Sequence, residues 1–113
     1  MQELINDYIA MNQEGLVLAL CEKYYDDNVL MLNNGNVFAK SMRESYEKQK
    51  GFVASVKEFD VKLISQIVDG NAAELTFDYK MVGESSKVTR FVGKHIQTWK
   101  NGKIIKEEYV SIS

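Results

Sequence analysis

From Ala73 to Met81 every second residue is apolar, Ala73, Leu75, Phe77, Tyr79 and Met81, while Glu74, Thr76, Asp78 and Lys80 fill the positions between. A period of two held over so long a run places all the apolar side chains on one face of a strand, and that face must be covered. Neighbouring segments carry the same signal. Phe59, Val61, Leu63 and Ile67 alternate up to the turn Asp69-Gly70-Asn71, and the central run ends at Gly83 to Ser86. Val88, Val92 and Ile96 then alternate against Phe91, His95 and Trp99 as far as Asn101-Gly102, the dipeptide favoured in type I′ hairpins. A last strand runs from Lys103 to about Ile112. The spacing predicts a four-stranded antiparallel meander whose strands, at about 10 to 12 residues, are roughly twice the usual length. Such strands twist and bend, so the sheet should curl around a concave face. The chain contains no proline, in keeping with long paired strands that need every backbone donor and with turns built from Asn, Asp, Gly and Ser.

The N-terminal half has a period of 3.6 instead. Leu4, Ile5, Tyr8, Ile9 and Asn12 recur at helical spacing over residues 2 to 13, and Gly15 ends the pattern. Leu16, Val17, Leu20, Cys21, Tyr24 and Tyr25 repeat it up to Asp26-Asp27-Asn28, ahead of a short strand from Val29 to Leu32 and a turn at Asn33 to Asn36. Ser41 with Glu44 matches a capping box. A third helix is predicted over about 42 to 50, with Gly51 as its left-handed C-terminal residue and Phe52 packing back on the last turn.

At 113 residues the chain is long enough for one core and too short for two, so residues 1–113 are expected to form a single domain. A formal charge of -2 does not provide the basic footprint of a nucleic-acid binder. Leu16 to Cys21, the longest apolar run, is far below the ~20 residues of a membrane span. The N-terminus carries Glu3 and Asp7 where a signal peptide would be basic and then apolar, and the lone Cys21 has no disulfide partner. A cytoplasmic protein is expected. One Cys and one His do not make a zinc set and no glycine-rich phosphate loop follows a strand, so neither a metal nor a cofactor is implied.

The order helix, helix, short strand, helix and four long antiparallel strands resembles the nuclear transport factor 2-like superfamily, and within it the SnoaL-like and ketosteroid isomerase-like proteins. The residues that carry the resemblance are Asn6 to Asn12, Leu20 to Tyr25, Asp26-Asp27, Val29 to Gly35 and Trp99 to Ile104. It implies an α+β fold, the cystatin-like cone, in which three N-terminal helices pack on a strongly curved antiparallel sheet around a pocket. The superfamily hosts isomerases, cyclases, hydrolases and noncatalytic modules, so fold alone does not assign a reaction. Steroid isomerases of this fold use an Asp base, with a Tyr and a protonated Asp that stabilise an enolate. Carried across without gaps, the Tyr falls on Tyr8 and the base on Leu32, between Met31 and Asn33. The protonated Asp falls on Lys94 or, with a one-residue slip, on His95. Neither carboxylate is present at these positions.

His95, the only histidine, and Tyr8 are therefore the catalytic candidates, His95 because imidazole titrates near neutrality. Tyr8, Tyr24, Leu32, Phe91 and Trp99 are the candidate ligand contacts. Parity puts His95 with Phe91, Gln97 and Trp99, opposite Val92, Lys94 and Ile96, and leaves open which set lines the cone. Asp26-Asp27 is read as a structural turn and Cys21 as a small buried hydrophobe. Lys100, Lys103 and Lys106, followed at once by Glu107 and Glu108, are read as a solvated edge. The expected function is binding of a small, largely apolar molecule in the cone, with isomerase, cyclase or hydrolase chemistry as its enzymatic form. The alternative is a noncatalytic dimeric binding or assembly module with a cone filled by Met11, Met31, Met42 and Phe52. Ile64 and Val68 beside Leu63 and Ile67, and Ile104 and Ile112 beside Ile105 and Tyr109, put apolar residues at both parities. A homodimer through the outer face of the sheet is expected from them.

Overall fold

The structure is a computed structural model that describes residues 1–112. Its elements are α1 (Gln2–Gln13), α2 (Val17–Tyr24), β1 (Tyr25–Asn33), β2 (Asn36–Ala39), α3 (Met42–Ser55), β3 (Val56–Asp69), β4 (Ala72–Gly83), β5 (Val88–Lys100) and β6 (Lys103–Ser111). The strands form one sheet in the order β2-β1-β6-β5-β4-β3. The predicted meander is β3 to β6. To it β1 adds in parallel beside β6, and β2, a strand absent from the sequence reading, follows the expected turn at Asn34-Gly35 and pairs antiparallel with β1. Three helices on a curved antiparallel-dominated sheet are the α+β cone expected. No described helix is long and apolar enough to cross a membrane.

The helices close where residue chemistry allows. Gly15 adopts φ +75° and lets the Leu16 N–H reach back to the Met11 carbonyl, which terminates α1. At α3 the Ser41 hydroxyl accepts from the Glu44 N–H at 3.1 Å, and the Glu44 carboxylate accepts from the Lys40 N–H at 2.8 Å. Gly51 does not end this helix. It sits inside α3, which continues to Ser55, because the contact of Phe52 with Phe59 on β3 outweighs the preference of glycine for a terminus.

The inner face of β4, Ala73, Leu75, Phe77, Tyr79 and Met81, is buried throughout, as its alternation requires. Elsewhere bulges interrupt the period, and these account for the mixed parities. Register slips between Leu63 and Ser65, so Leu63 faces in opposite Phe77 while Ile67 points outward and is exposed. Between β5 and β6 a second slip at Thr98/Trp99 pairs Trp99 with Ile104 but Thr98 with Lys106, leaving Ile105 as the extra residue. Beyond it every β6 side chain changes face. The outer face exposes Ile67 and Ile96 among the ion pairs Arg90–Asp78 and Lys94–Glu74.

Candidate functional site

A cavity of about 360 Å³ lies between the concave side of the sheet and the helices. Its wall is mostly aliphatic and aromatic. Leu20, Met31, Val61 and Met81 are buried in it, Phe38, Phe59, Phe91 and Tyr109 are half-buried, and Asn33, Lys48 and Phe52 are the exposed members that mark its open side. Met31 and Phe52, which would fill the cone in the noncatalytic alternative, line this space.

The polar end of this cavity is built by four strands and one helix. β5 turns His95 inward with Phe91, which settles the parity, while Lys94 points outward to Glu74. Opposite it β6 presents Glu107, only 2% exposed. The register pairs Gln97 with Glu107 and His95 with Tyr109, so these side chains share one face. Glu107 Oε1 accepts from the Tyr25 hydroxyl at 2.8 Å and Oε2 from Gln97 Nε2 at 2.7 Å, and the Tyr8 hydroxyl lies 3.3 Å from Oε2 and 3.1 Å from the Tyr25 oxygen. Gln97 is oriented in turn by Trp99, whose indole N–H donates to its Oε1 at 3.0 Å. His95 Nδ1 stands 3.3 Å from Glu107 Oε1. On its other side, Nε2 is 2.6 Å from the Tyr79 hydroxyl, which also accepts from Asn12 Nδ2 at 3.0 Å.

Charge is the unusual feature of this arrangement. Burial alone would push the Glu107 carboxyl up, but the His95 ring beside it and the hydrogen bonds from Gln97 and Tyr25 outweigh burial and hold it below its ordinary value. The cone therefore keeps a carboxylate at its polar end. Burial, reinforced by that carboxylate, pushes the Tyr8 and Tyr25 phenols well above theirs, and Tyr79 is raised chiefly by burial. All three remain protonated donors near neutrality. Among the described lining residues Lys48 is the only Lys or Arg, and it is engaged by the Phe38 carbonyl.

Four of the expected site residues, Tyr8, Leu32, Phe91 and His95, line the cavity. Tyr24 and Trp99 do not. Trp99 packs edge-on against Tyr8 and Tyr24 behind the wall, and the Tyr24 hydroxyl turns away to Asp7, whose carboxylate also meets Lys23 at 2.7 Å. Asp26 and Asp27 lie at the start of β1 and Cys21 is buried beside Ser45, all outside the lining. Glu107, Tyr79 and Asn12 are the site residues that the sequence reading did not select. For Glu107 the reason is the Ile105 bulge. Counted without a slip from the Asn101-Gly102 turn, Glu107 falls opposite Ile96 on the solvent side.

No family model matches the sequence, and no curated protein sequence matches it significantly. Solved structures do match across nearly its whole length. One described as a SnoaL-like polyketide cyclase from Mesorhizobium loti superposes with a TM-score of 0.78 at 19% identity, covering 96% of each chain. The fold is that of the nuclear transport factor 2-like cone. An LEH-like epoxide hydrolase from M. tuberculosis gives a TM-score of 0.79 at 14% identity, over 96% of this chain and 80% of the other. A protein with a ketosteroid isomerase-like fold from Catenulispora acidiphila, solved with trimethylamine, gives 0.76 at 9% identity, over 95% and 83%. The cone is shared among proteins of different described activity, so what this chain does must be argued from its own lining.

Proposed function

We propose that the protein binds a small, largely apolar organic molecule inside the cone, with the molecule's polar group placed at the His95 and Tyr79 end. The observation that carries this reading is the cavity of about 360 Å³, within the range of about 300–1,000 Å³ typical of ligand pockets, with apolar walls and one cluster of polar groups. A noncatalytic module with a filled cone would pack this space with side chains. Solved relatives of the fold described as a polyketide cyclase and an epoxide hydrolase, and one holding trimethylamine, support a small-molecule role without naming the molecule. The carboxylate pair of the steroid isomerases is missing at Leu32 and at Lys94 or His95, so that route of proton abstraction is not the reading adopted. The one acid among the described lining residues, Glu107, is enclosed by Tyr8, Tyr25, Gln97 and His95 and acts on a ligand through them.

The test is thermal unfolding of the wild type and of Leu32→Trp, which fills the cavity from β1, against a panel of cyclic ketones, epoxides and polycyclic phenols. A compound at a hundred times its Kd adds about 2.7 kcal/mol to the folded state, enough to raise Tm by several degrees in a chain of this length. The reading requires compounds that stabilise the wild type and leave Leu32→Trp unmoved. A panel that shifts neither protein, or both alike, removes it.

A further inference from the structure

We infer that Glu107, His95 and Tyr79 form a proton relay whose ligand-facing end is the Tyr79 hydroxyl, and that the cone's ligand carries an oxygen, as a carbonyl or its hydroxyl form, seated on Tyr79. This deepens the pocket reading above and rests on it for the ligand. The relay itself stands on geometry within the chain.

The argument begins at the buried Nδ1 of His95. It has no aligned hydrogen-bond partner among the described residues, and the acceptor beside it is Glu107 Oε1 at 3.3 Å. A bare Nδ1 would point its lone pair at a carboxylate in a buried site, whereas an Nδ1–H is attracted to that carboxylate without needing ideal alignment. Glu107 thus fixes the tautomer. Nδ1 keeps its hydrogen, and Nε2 is the nitrogen that gains or loses one. The group beside Nε2 is the Tyr79 hydroxyl at 2.6 Å.

A phenolic oxygen has one hydrogen and two acceptor positions. At Tyr79, Asn12 Nδ2–H fills one acceptor position, and His95 takes one of the two remaining positions. The third has no partner among the described side chains, and Tyr79, Asn12 and His95 all line the cavity. What the third position offers depends on His95. With Nε2–H donating to the Tyr79 oxygen, the phenol hydrogen is free for a ligand oxygen. With Nε2 bare, that hydrogen points to His95 and an acceptor position is free for a ligand O–H. The same site therefore fits an oxygen before and after it is protonated. In the transfer, an enolate or alkoxide oxygen of the ligand forms a bond to the phenol hydrogen, and the Tyr79 oxygen takes the Nε2 hydrogen. Nε2 keeps the electron pair of the broken N–H bond, and neutral His95 remains with Nδ1–H on Glu107. Phe77 and Tyr109, edge-on to the imidazole at 5.6 and 5.3 Å, hold the ring in this plane. Tyr79 is the residue that touches the ligand; Glu107 is a positioning residue.

Two measurements test this, the first without ligand. Because His95 is the only histidine, ¹⁵N spectra of histidine-labelled protein report one ring. Nδ1 should stay protonated across the titration while Nε2 alone changes, and in Glu107→Gln, which removes the anion at almost constant volume, this preference should weaken. A wild-type ring that keeps Nε2–H with a bare Nδ1 would overturn the relay. The second compares 1-tetralone with tetralin, which lacks the carbonyl. Tetralone should bind about fivefold more tightly, the scale of one hydrogen bond, with its carbonyl stretch lowered. Both the preference and the lowered stretch should disappear in Tyr79→Phe. Equal binding of the two with an unshifted stretch would overturn the Tyr79 assignment and leave the pocket intact, whereas binding of neither would count against the pocket as well.

Discussion

At the scale of single residues, the site depends on a few positions where side chain and register cooperate. Gly93 is one. It lies on the inner face of β5 between Phe91 and His95, and a Cβ there would come within 2.3 Å of the Tyr109 ring. Its lack of a side chain is what lets Tyr109 lie across the strand and meet Phe91 and His95 edge-on. Gly93→Ala should displace Tyr109 and destabilise the fold by about 1–3 kcal/mol, the usual cost of overpacking, measured by urea unfolding. A change near zero would mean that the ring has another place to go. Glu107 is the second. Its sequence neighbourhood, Lys106-Glu107-Glu108, reads as a solvated charge run, and nothing in residue type distinguishes Glu107 from Glu108. His95 and Tyr8 were legible because their chemistry is distinctive, and β4 because its alternation is unbroken. Glu107 was not, because its direction is decided by one extra residue two positions upstream.

At the scale of elements, the sequence reading placed all three helices and the four long strands. It failed where tertiary contacts override local signals. The turn expected over Asn33 to Asn36 is present at Asn34-Gly35, but β2 beyond it is too short to show an alternation of its own and forms because Val37 and Ala39 pair with β1. The third helix was stopped at Gly51 because a glycine after a helical run is read as an end. In the fold Gly51 is helical and exposed, and an added Cβ there meets nothing within 4 Å. Gly51→Ala should therefore stabilise the protein by about 0.5–1 kcal/mol, as expected for a helix interior. A glycine that were the left-handed terminus would give the opposite sign. The urea midpoint of this one variant checks the corrected boundary. The helix matters to the site because Gln49 and Phe52, on either side of Gly51, line the cavity.

At the scale of the whole molecule, a curved sheet and three helices leave a space that the chain does not fill, and the polar end of that space is a buried carboxylate held by donors. This gives the fold a pH dependence of definite sign. Because Glu107 has a lowered pKa when folded, its contribution is present above the unfolded value, ordinarily near 4.5, and is lost as pH falls through the lowered folded value. Asp7 and Asp78 shift in the same direction, but both are only half-buried and paired at the surface, and they add little. The urea midpoint should fall between about pH 6 and pH 3, and in Glu107→Gln that fall should be smaller. An equal fall in both proteins would mean that Glu107 is not the group lost. The central claim, that the cone is a ligand site, is tested most directly by a crystal structure of the protein grown with the most stabilising compound of the thermal panel. The prediction is density for the compound inside the cavity, against Met31, Phe91 and Met81, with its oxygen at Tyr79. Density only on the outer surface, with the cone closed by its own side chains, would contradict it.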